Sequence, residues 1–139
     1  MLLKIENNEL YVRLIGHFNA YNILAVYGVT KILRTPTEKV LLALSNLKPV
    51  NGRFECYRLK NGACAVIDYA HTPDALENVL NTVKQINKTG KTICVVGCGG
   101  NRDKGKRPMM AKIAVKLSNE VFFTSDNPRD EEVKDIIND

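Results

Sequence analysis

Residues 95–108, VVGCGGNRDKGKRP, combine exposed backbone with positive charge in a way that suits an anion. An apolar run breaks at Gly97, Gly99 and Gly100, and Arg102, Lys104, Lys106 and Arg107 crowd the positions that follow. Pro108 falls in what reads as the first turn of a helix, where a missing N–H costs nothing. A strand that ends in glycines and feeds a helix N-terminus offers free N–H groups to a negative charge. A tight strand-to-helix turn with a solvated basic face would use the same residues, and this stretch alone does not choose between the two. Two nucleotide motifs fail here. Gly97-x-Gly99 opens like a dinucleotide fingerprint, but Arg102 stands where its third glycine belongs. Gly100-x-x-x-x-Gly105-Lys106 has Walker A spacing, but Arg107 replaces the Ser or Thr whose hydroxyl reaches Mg²⁺.

Three other segments carry polar groups at useful spacing. Asn19 and Asn22 stand three apart near the start of a helix and share a face. Asn19 can serve as an N-cap, or the amides can read a nucleobase edge, since each offers a donor and an acceptor. Asp68-Tyr69-Ala70-His71 and Ser125-Asp126-Asn127-Pro128-Arg129 both follow apolar runs, as the glycine-rich segment does.

The elements that must position these groups read as follows. Residues 5–16 form a hairpin turning at Asn7-Asn8. Residues 18–33 form a helix that is apolar around most of its surface and is therefore expected to be buried. Residues 37–46 form a second helix, and Lys48-Pro49-Val50-Asn51-Gly52 is a linker. Residues 53–60 and 63–68 read as strands turned at Asn61-Gly62, the second apolar enough for a central parallel strand. Leu76, Val79, Leu80, Val83 and Ile86 then share a helix face, starting either at Thr72 before Pro73 or at Asp74 with Glu77. Residues 91–96, 109–117, 120–124 and 131–137 read as strand, helix, strand and helix. Alternation from residue 63 onward implies an α/β fold with a mainly parallel sheet and right-handed crossovers. Ligands bind such sheets at the carboxyl ends of the strands, so all three strand-end segments are expected on one rim.

Composition bounds the functions available. A chain of 139 residues supports one sizeable core more comfortably than two. A net charge of +5, much of it in residues 102–112, suits an anionic small molecule as well as nucleic acid. Aromatic side chains do not interleave with the basic run, which argues against a single-strand stacking platform. Cys56, Cys64, Cys94 and Cys98 match no common metal or redox spacing and read as reduced core residues of a cytoplasmic protein. No membrane span or signal peptide is evident. The opening in strand-like sequence hints that Met1 is not a natural start.

Five stretches, GHFNAYNILA (16–25), NGRFE (51–55), DYAHTPDALENVL (68–80), GCGGNRDKGKRPMM (97–110) and TSDNPR (124–129), together resemble the Mur ligase family of peptidoglycan synthesis. They occur in family order over nearly the whole chain and look most like the branch that adds the third peptide residue. The resemblance implies a partial Rossmann-like C-terminal domain over residues 53–139, a hinge at 49–52, and residues 1–48 as a small α+β tail of the central ATPase domain. It places Asn19 and Asn22 against adenine, Arg53 near the phosphates, Asp68 on the ribose hydroxyls and His71 near the nucleotide. It makes Asp126, Asn127, Pro128 and Arg129, joined by Arg102, the site for meso-diaminopimelate. A guanidinium holds a distal carboxylate through two parallel hydrogen bonds, while Asp-Asn-Pro by itself is a common turn former. The implied reaction is ATP-dependent: the D-glutamate side chain of the UDP-muramoyl dipeptide becomes an acyl phosphate, which the diaminopimelate amine attacks.

The resemblance implies a cytoplasmic monomer acting on small molecules, with no nucleic-acid or membrane partner. Asn101 departs from the Asp usual in this branch. The family's P-loop, its Mg²⁺-binding Glu and His and its modified lysine have no counterpart here and are expected upstream. No catalytic or metal-binding residue is therefore assigned, and this stretch is not expected to catalyse by itself. The competing classes are a free-standing module that binds a nucleotide or acidic metabolite without turnover, and a nucleic-acid binder with steeply salt-dependent affinity.

Overall fold

In the computed structural model, which describes Met1–Asp139, contacts divide the chain between Met1–Tyr69 and Ala70–Asp139. The first unit opens with strands β1 (Leu2–Ile5) and β2 (Asn8–Tyr11), paired antiparallel with Ile5 opposite Asn8. The turn therefore lies at Glu6-Asn7, one position earlier than the sequence suggested. Glu6 takes the left-handed conformation (φ 54°) there, and its carboxylate accepts from the Tyr27 hydroxyl at 3.1 Å. Helices α1 (His17–Ile32) and α2 (Thr37–Ser45) pack on the hairpin. Ile23 with Tyr27, and Val40 with Leu44, are one helical turn apart and meet Ile5, Leu10 and Val12 in one apolar cluster.

α1 is not buried all round. Only Ile23 and Tyr27 are buried, while Leu24, Val29, Ile32 and Leu33 are exposed, so its apolar character exceeds what this unit covers. Nor is Asn19 an N-cap. Gly16 occupies that position at φ 95°, with the Phe18 ring folded so close that a Cβ would meet it at 2.5 Å. Glycine is the residue that tolerates both conditions.

Strands β3 (Glu55–Arg58) and β4 (Cys64–Ile67) form a second antiparallel pair. The turn has three residues. Gly62 N–H donates to the Leu59 carbonyl and Leu59 N–H to Ala63, with Gly62 at φ 86°. That is a tight turn closed by a left-handed glycine, rather than the two-residue form that Asn-Gly suggests. The expected central parallel strand is thus half of a hairpin with largely exposed side chains. An apolar run alone does not distinguish the two arrangements. Cys56 and Cys64 lie on these strands and are exposed, against expectation, whereas Cys94 is buried.

The second unit holds α3 (Pro73–Ile86), β5 (Ile93–Cys98), α4 (Lys106–Leu117), β6 (Glu120–Ser125) and α5 (Val133–Asn138). Thr72 starts α3: its hydroxyl accepts from Ala75 N–H at 3.3 Å, and Pro73 fills the first turn. β5 and β6 pair in parallel from Ile93–Glu120 to Cys98–Ser125, with α4 as the crossover. Leu76 and Leu80 of α3, Cys94 and Val96 of β5, and Met110 and Ala114 of α4 form the core. The opposite face of β5 is open: Ile93 and Val95 are exposed, so the strand is covered on one side only. α4 begins at Lys106, earlier than expected, and Pro108 is its third residue, still within the turn that lacks N–H partners. No helix is long and apolar enough to cross a membrane.

Candidate functional site

In the first unit the polar candidates gather around Phe54. This residue is 2% exposed and sits at φ 47°, an unusual conformation for an aromatic side chain. Two contacts hold it there. Asp68 accepts its N–H at 2.8 Å, and its ring packs against Phe18 with centroids 5.9 Å apart. Phe18 precedes Asn19 and Arg53 precedes Phe54, so one buried ring draws Asn19, Arg53 and Asp68 into a single neighbourhood. Sequence reasoning assigned Phe54 no role of its own, although it stands within the NGRFE stretch (51–55).

Asn19 donates to the Ile15 carbonyl at 2.7 Å and accepts from the Asn22 amide at 3.2 Å. That bond orients the two amides relative to each other, with Asn22 exposed. Arg53 lies over the Tyr69 ring at 4.9 Å, a cation–π contact that braces an otherwise exposed guanidinium. These groups fit a nucleoside phosphate chemically: oriented amides, a braced cation and a half-buried carboxylate. Asp68 is also structural. Asp68→Ala leaves a buried N–H without its partner and is expected to cost about 1–3 kcal/mol, read as a lower urea midpoint.

In the second unit two of the three strand-end segments converge as expected. Cys98 and Ser125 are register partners at the carboxyl ends of β5 and β6, and the loops that follow pack on each other. Glycines allow the approach. A Cβ at Gly97 would lie 2.7 Å from the Thr124 carbonyl oxygen, and one at Gly100 would run into the Pro128 carbonyl. Gly100 N–H donates to the Asn127 carbonyl at 2.9 Å, and Arg129 Nη1 donates back to the Gly100 carbonyl at 2.6 Å. Arg129 sits at φ 51°, its N–H capped by the Asn127 side chain at 3.3 Å. Its Nη1 lies 2.9 Å, and the Asp126 carboxylate 3.8 Å, from where a Gly99 Cβ would be. A guanidinium and a carboxylate thus flank a floor without side chains. Pro128 shapes the turn by accepting Glu131 N–H at 3.1 Å.

Asn101 suits its position better than Asp would. Its amide donates to the Asp130 carboxylate at 2.9 Å, and its carbonyl accepts Asp130 N–H at 3.3 Å. A carboxylate there would oppose another. Arg102 is exposed on the same loop. His71 belongs to this unit, where its carbonyl accepts from Lys106 Nζ at 2.7 Å.

The pair that sequence reasoning missed is Arg107 with Glu131. Arg107 is 4% exposed and binds both Glu131 oxygens, at 3.0 and 2.9 Å. It also reaches Asp139 at 2.5 Å and the Gly99 carbonyl at 3.4 Å. Glu131 accepts Asn101 N–H at 2.5 Å and pairs with Lys104 at 3.2 Å. The Arg107 guanidinium, first, and the Asn101 N–H, next, hold its carboxyl down at about 2 from an ordinary 4.5. A depressed carboxyl stabilises the fold above its unfolded value and loses that contribution as pH falls through the folded one. The unfolding midpoint is therefore expected to drop between about pH 4.5 and about pH 2, and less so in Glu131→Gln. Equal pH profiles for the two proteins would sink this account.

A sequence profile described as "Mur ligase, glutamate ligase domain" matches residues 52–139. The chain belongs to the Mur ligase family. Along its whole length it is 61% identical to a UDP-N-acetylmuramoyl-L-alanyl-D-glutamate–2,6-diaminopimelate ligase from Phocaeicola vulgatus, of which it spans 29%. A solved structure of a ligase of that name aligns over 93% of this chain and 26% of its own, at 36% identity and TM-score 0.57. The UDP-N-acetylmuramate–alanine ligase of Thermotoga maritima aligns over 85% of this chain and 26% of its own, at 30% identity and TM-score 0.70. The chain therefore spans between a quarter and a third of the length of these ligases. Mur ligases form amide bonds with ATP. No group of three or more His, Cys, Asp or Glu side chains is arranged to hold a metal ion.

Proposed function

We propose that this chain is part of an ATP-dependent ligase that joins meso-diaminopimelate to UDP-N-acetylmuramoyl-L-alanyl-D-glutamate. Residues 1–48 are the end of its central domain, 49–52 the hinge, and 53–139 part of its C-terminal domain. The profile match beginning at residue 52 supports that division, although the two compact units part later, at Tyr69/Ala70. The observation that carries the substrate is the floor at Gly99–Gly100, flanked by Arg129 and Asp126. The distal end of diaminopimelate bears a carboxylate and an ammonium, the charges these two side chains complement.

Arg129, joined by Arg102, takes the distal carboxylate and Asp126 the ammonium, while Asn127 and Pro128 fix the turn that presents them. Asn19 and Asn22 face adenine, Asp68 takes a ribose hydroxyl on the oxygen that Phe54 leaves open, and Arg53 meets phosphate. Bound ATP supplies the phosphoryl group that activates the acceptor carboxylate. The residues here orient the amine donor and the nucleotide, which is what such a transfer asks of a protein. By itself the chain is expected to bind without turnover.

The test is a chimera in which this chain replaces the corresponding stretch of the Phocaeicola vulgatus ligase. ADP release is expected with meso-diaminopimelate and not with lysine. Arg129→Lys should raise KM for diaminopimelate about tenfold, because the two-pronged bond is lost, with little change in KM for ATP. Equal turnover of lysine, or an unchanged KM in the variant, would overturn the assignment.

A further inference from the structure

We propose that Arg107 and Glu131 are positioning residues for amine-donor selection: their ion pair fixes Gly100, and through it Arg129, without touching substrate. The inference rests on the diaminopimelate reading given above. Arg107, Met110 and Ala114 are the buried residues of α4, at helical spacing, so the guanidinium fills what would otherwise be a core position. Its bonds run to carboxylates and a backbone carbonyl within the unit. With a side chain only 3% exposed and both Nη atoms bonded within the unit, it serves the loop rather than the surface.

What the pair holds is specific. Arg107 reaches the Gly99 carbonyl, and Glu131 takes the Asn101 N–H, so the residues on both sides of Gly100 are gripped from one ionic centre. Gly100 in turn is bonded to Asn127 through its N–H and to Arg129 Nη1 through its carbonyl. Any shift of the 99–101 backbone must therefore move the guanidinium of Arg129. A buried ion pair is seldom more stabilising than well-packed apolar residues of the same volume, whereas its directional bonds fix geometry. The pair sets where the selector stands.

Kinetics of the chimera test this with Glu131→Gln and Arg107→Lys, each keeping size and some hydrogen bonding. KM for diaminopimelate is expected to rise about tenfold, with kcat and KM for ATP within about twofold. A merely structural role would lower the amount of active enzyme and leave the KM for diaminopimelate alone. An unchanged KM in both folded variants, while Arg129→Lys raises it, overturns this inference and spares the functional reading. If Arg129→Lys is silent as well, both fall. Hydrogen exchange on the unmodified chimera decides the case in which neither variant folds. Slow exchange at the Asn101 amide, which donates to Glu131, beside fast exchange at Arg102 supports the pair as the anchor, and equal exchange overturns it.

Discussion

Gly100→Ala should lower the stability of the second unit by about 1–3 kcal/mol, with a larger loss where the loops cannot part. The added methyl would run into the Pro128 carbonyl and crowd the Glu131 side chain at 3.3 Å. Neither neighbour is the loose end of a flexible chain: Pro128 is backbone, and Glu131 is pinned by Arg107. The loops must separate, and the Gly100–Asn127 and Arg129–Gly100 bonds go with them. Gly28→Ala is the control, since nothing lies within 4 Å of its Cβ and the middle of a helix favours alanine. Urea unfolding of the two variants decides the matter. Equal midpoints would remove close packing as the reason for glycine at position 100.

Arg107→Met should be the most damaging removal of a single charge. Methionine fills the core position but leaves Glu131 facing Asp139 and the loop carbonyl with no guanidinium between them. Breaking one partner of a largely buried pair is destabilising because Glu131, with a side chain 17% exposed, regains only part of its hydration in place of the guanidinium. Lys104→Met, which also removes a cation from Glu131, should do far less, since Lys104 is 62% exposed. The difference between Arg107→Met and the unmodified protein should shrink as pH falls through the range in which Glu131 protonates, toward about 2. Thermal melts across that range check both statements. A gap that stays constant with pH would mean that lost packing, and not charge, carries the effect.

Local signals made much of the fold legible. Thr72 before Pro73 was one of the two starts open for α3, glycine marked the β3–β4 turn, and the strand–helix–strand run placed two polar loops at the ends of β5 and β6. What failed was what depends on the partner. β4 is as apolar as a central parallel strand, yet its ladder is with β3. α1 is apolar on faces that this unit leaves open.

In the candidate site, the motif singled out Arg129 and Asp126 as candidates. Arg107 was hidden inside a basic run whose other members are mostly solvated. Its signal was there, since Arg107 stands three and seven residues before Met110 and Ala114 on the apolar stripe of α4. Glu131 gave none, because its partners lie 24 and 30 residues away. Asn101, a departure from the family pattern, owes its fit to Asp130, which lies 29 residues away in sequence.

The loop from Gly99 to Gly105 is bonded within the protein itself at Gly100, Asn101, Lys104 and Gly105. Preorganisation of this kind changes the thermodynamics of recognition. A ligand meeting this edge orders little new backbone, so association loses only its own freedom and that of a few side chains. Calorimetry should then show a small heat-capacity change, without the large negative value that accompanies coupled folding. Discrimination between similar amines would lie in how long each stays bound, since a rigid surface admits them at comparable rates and releases the poorer fit sooner.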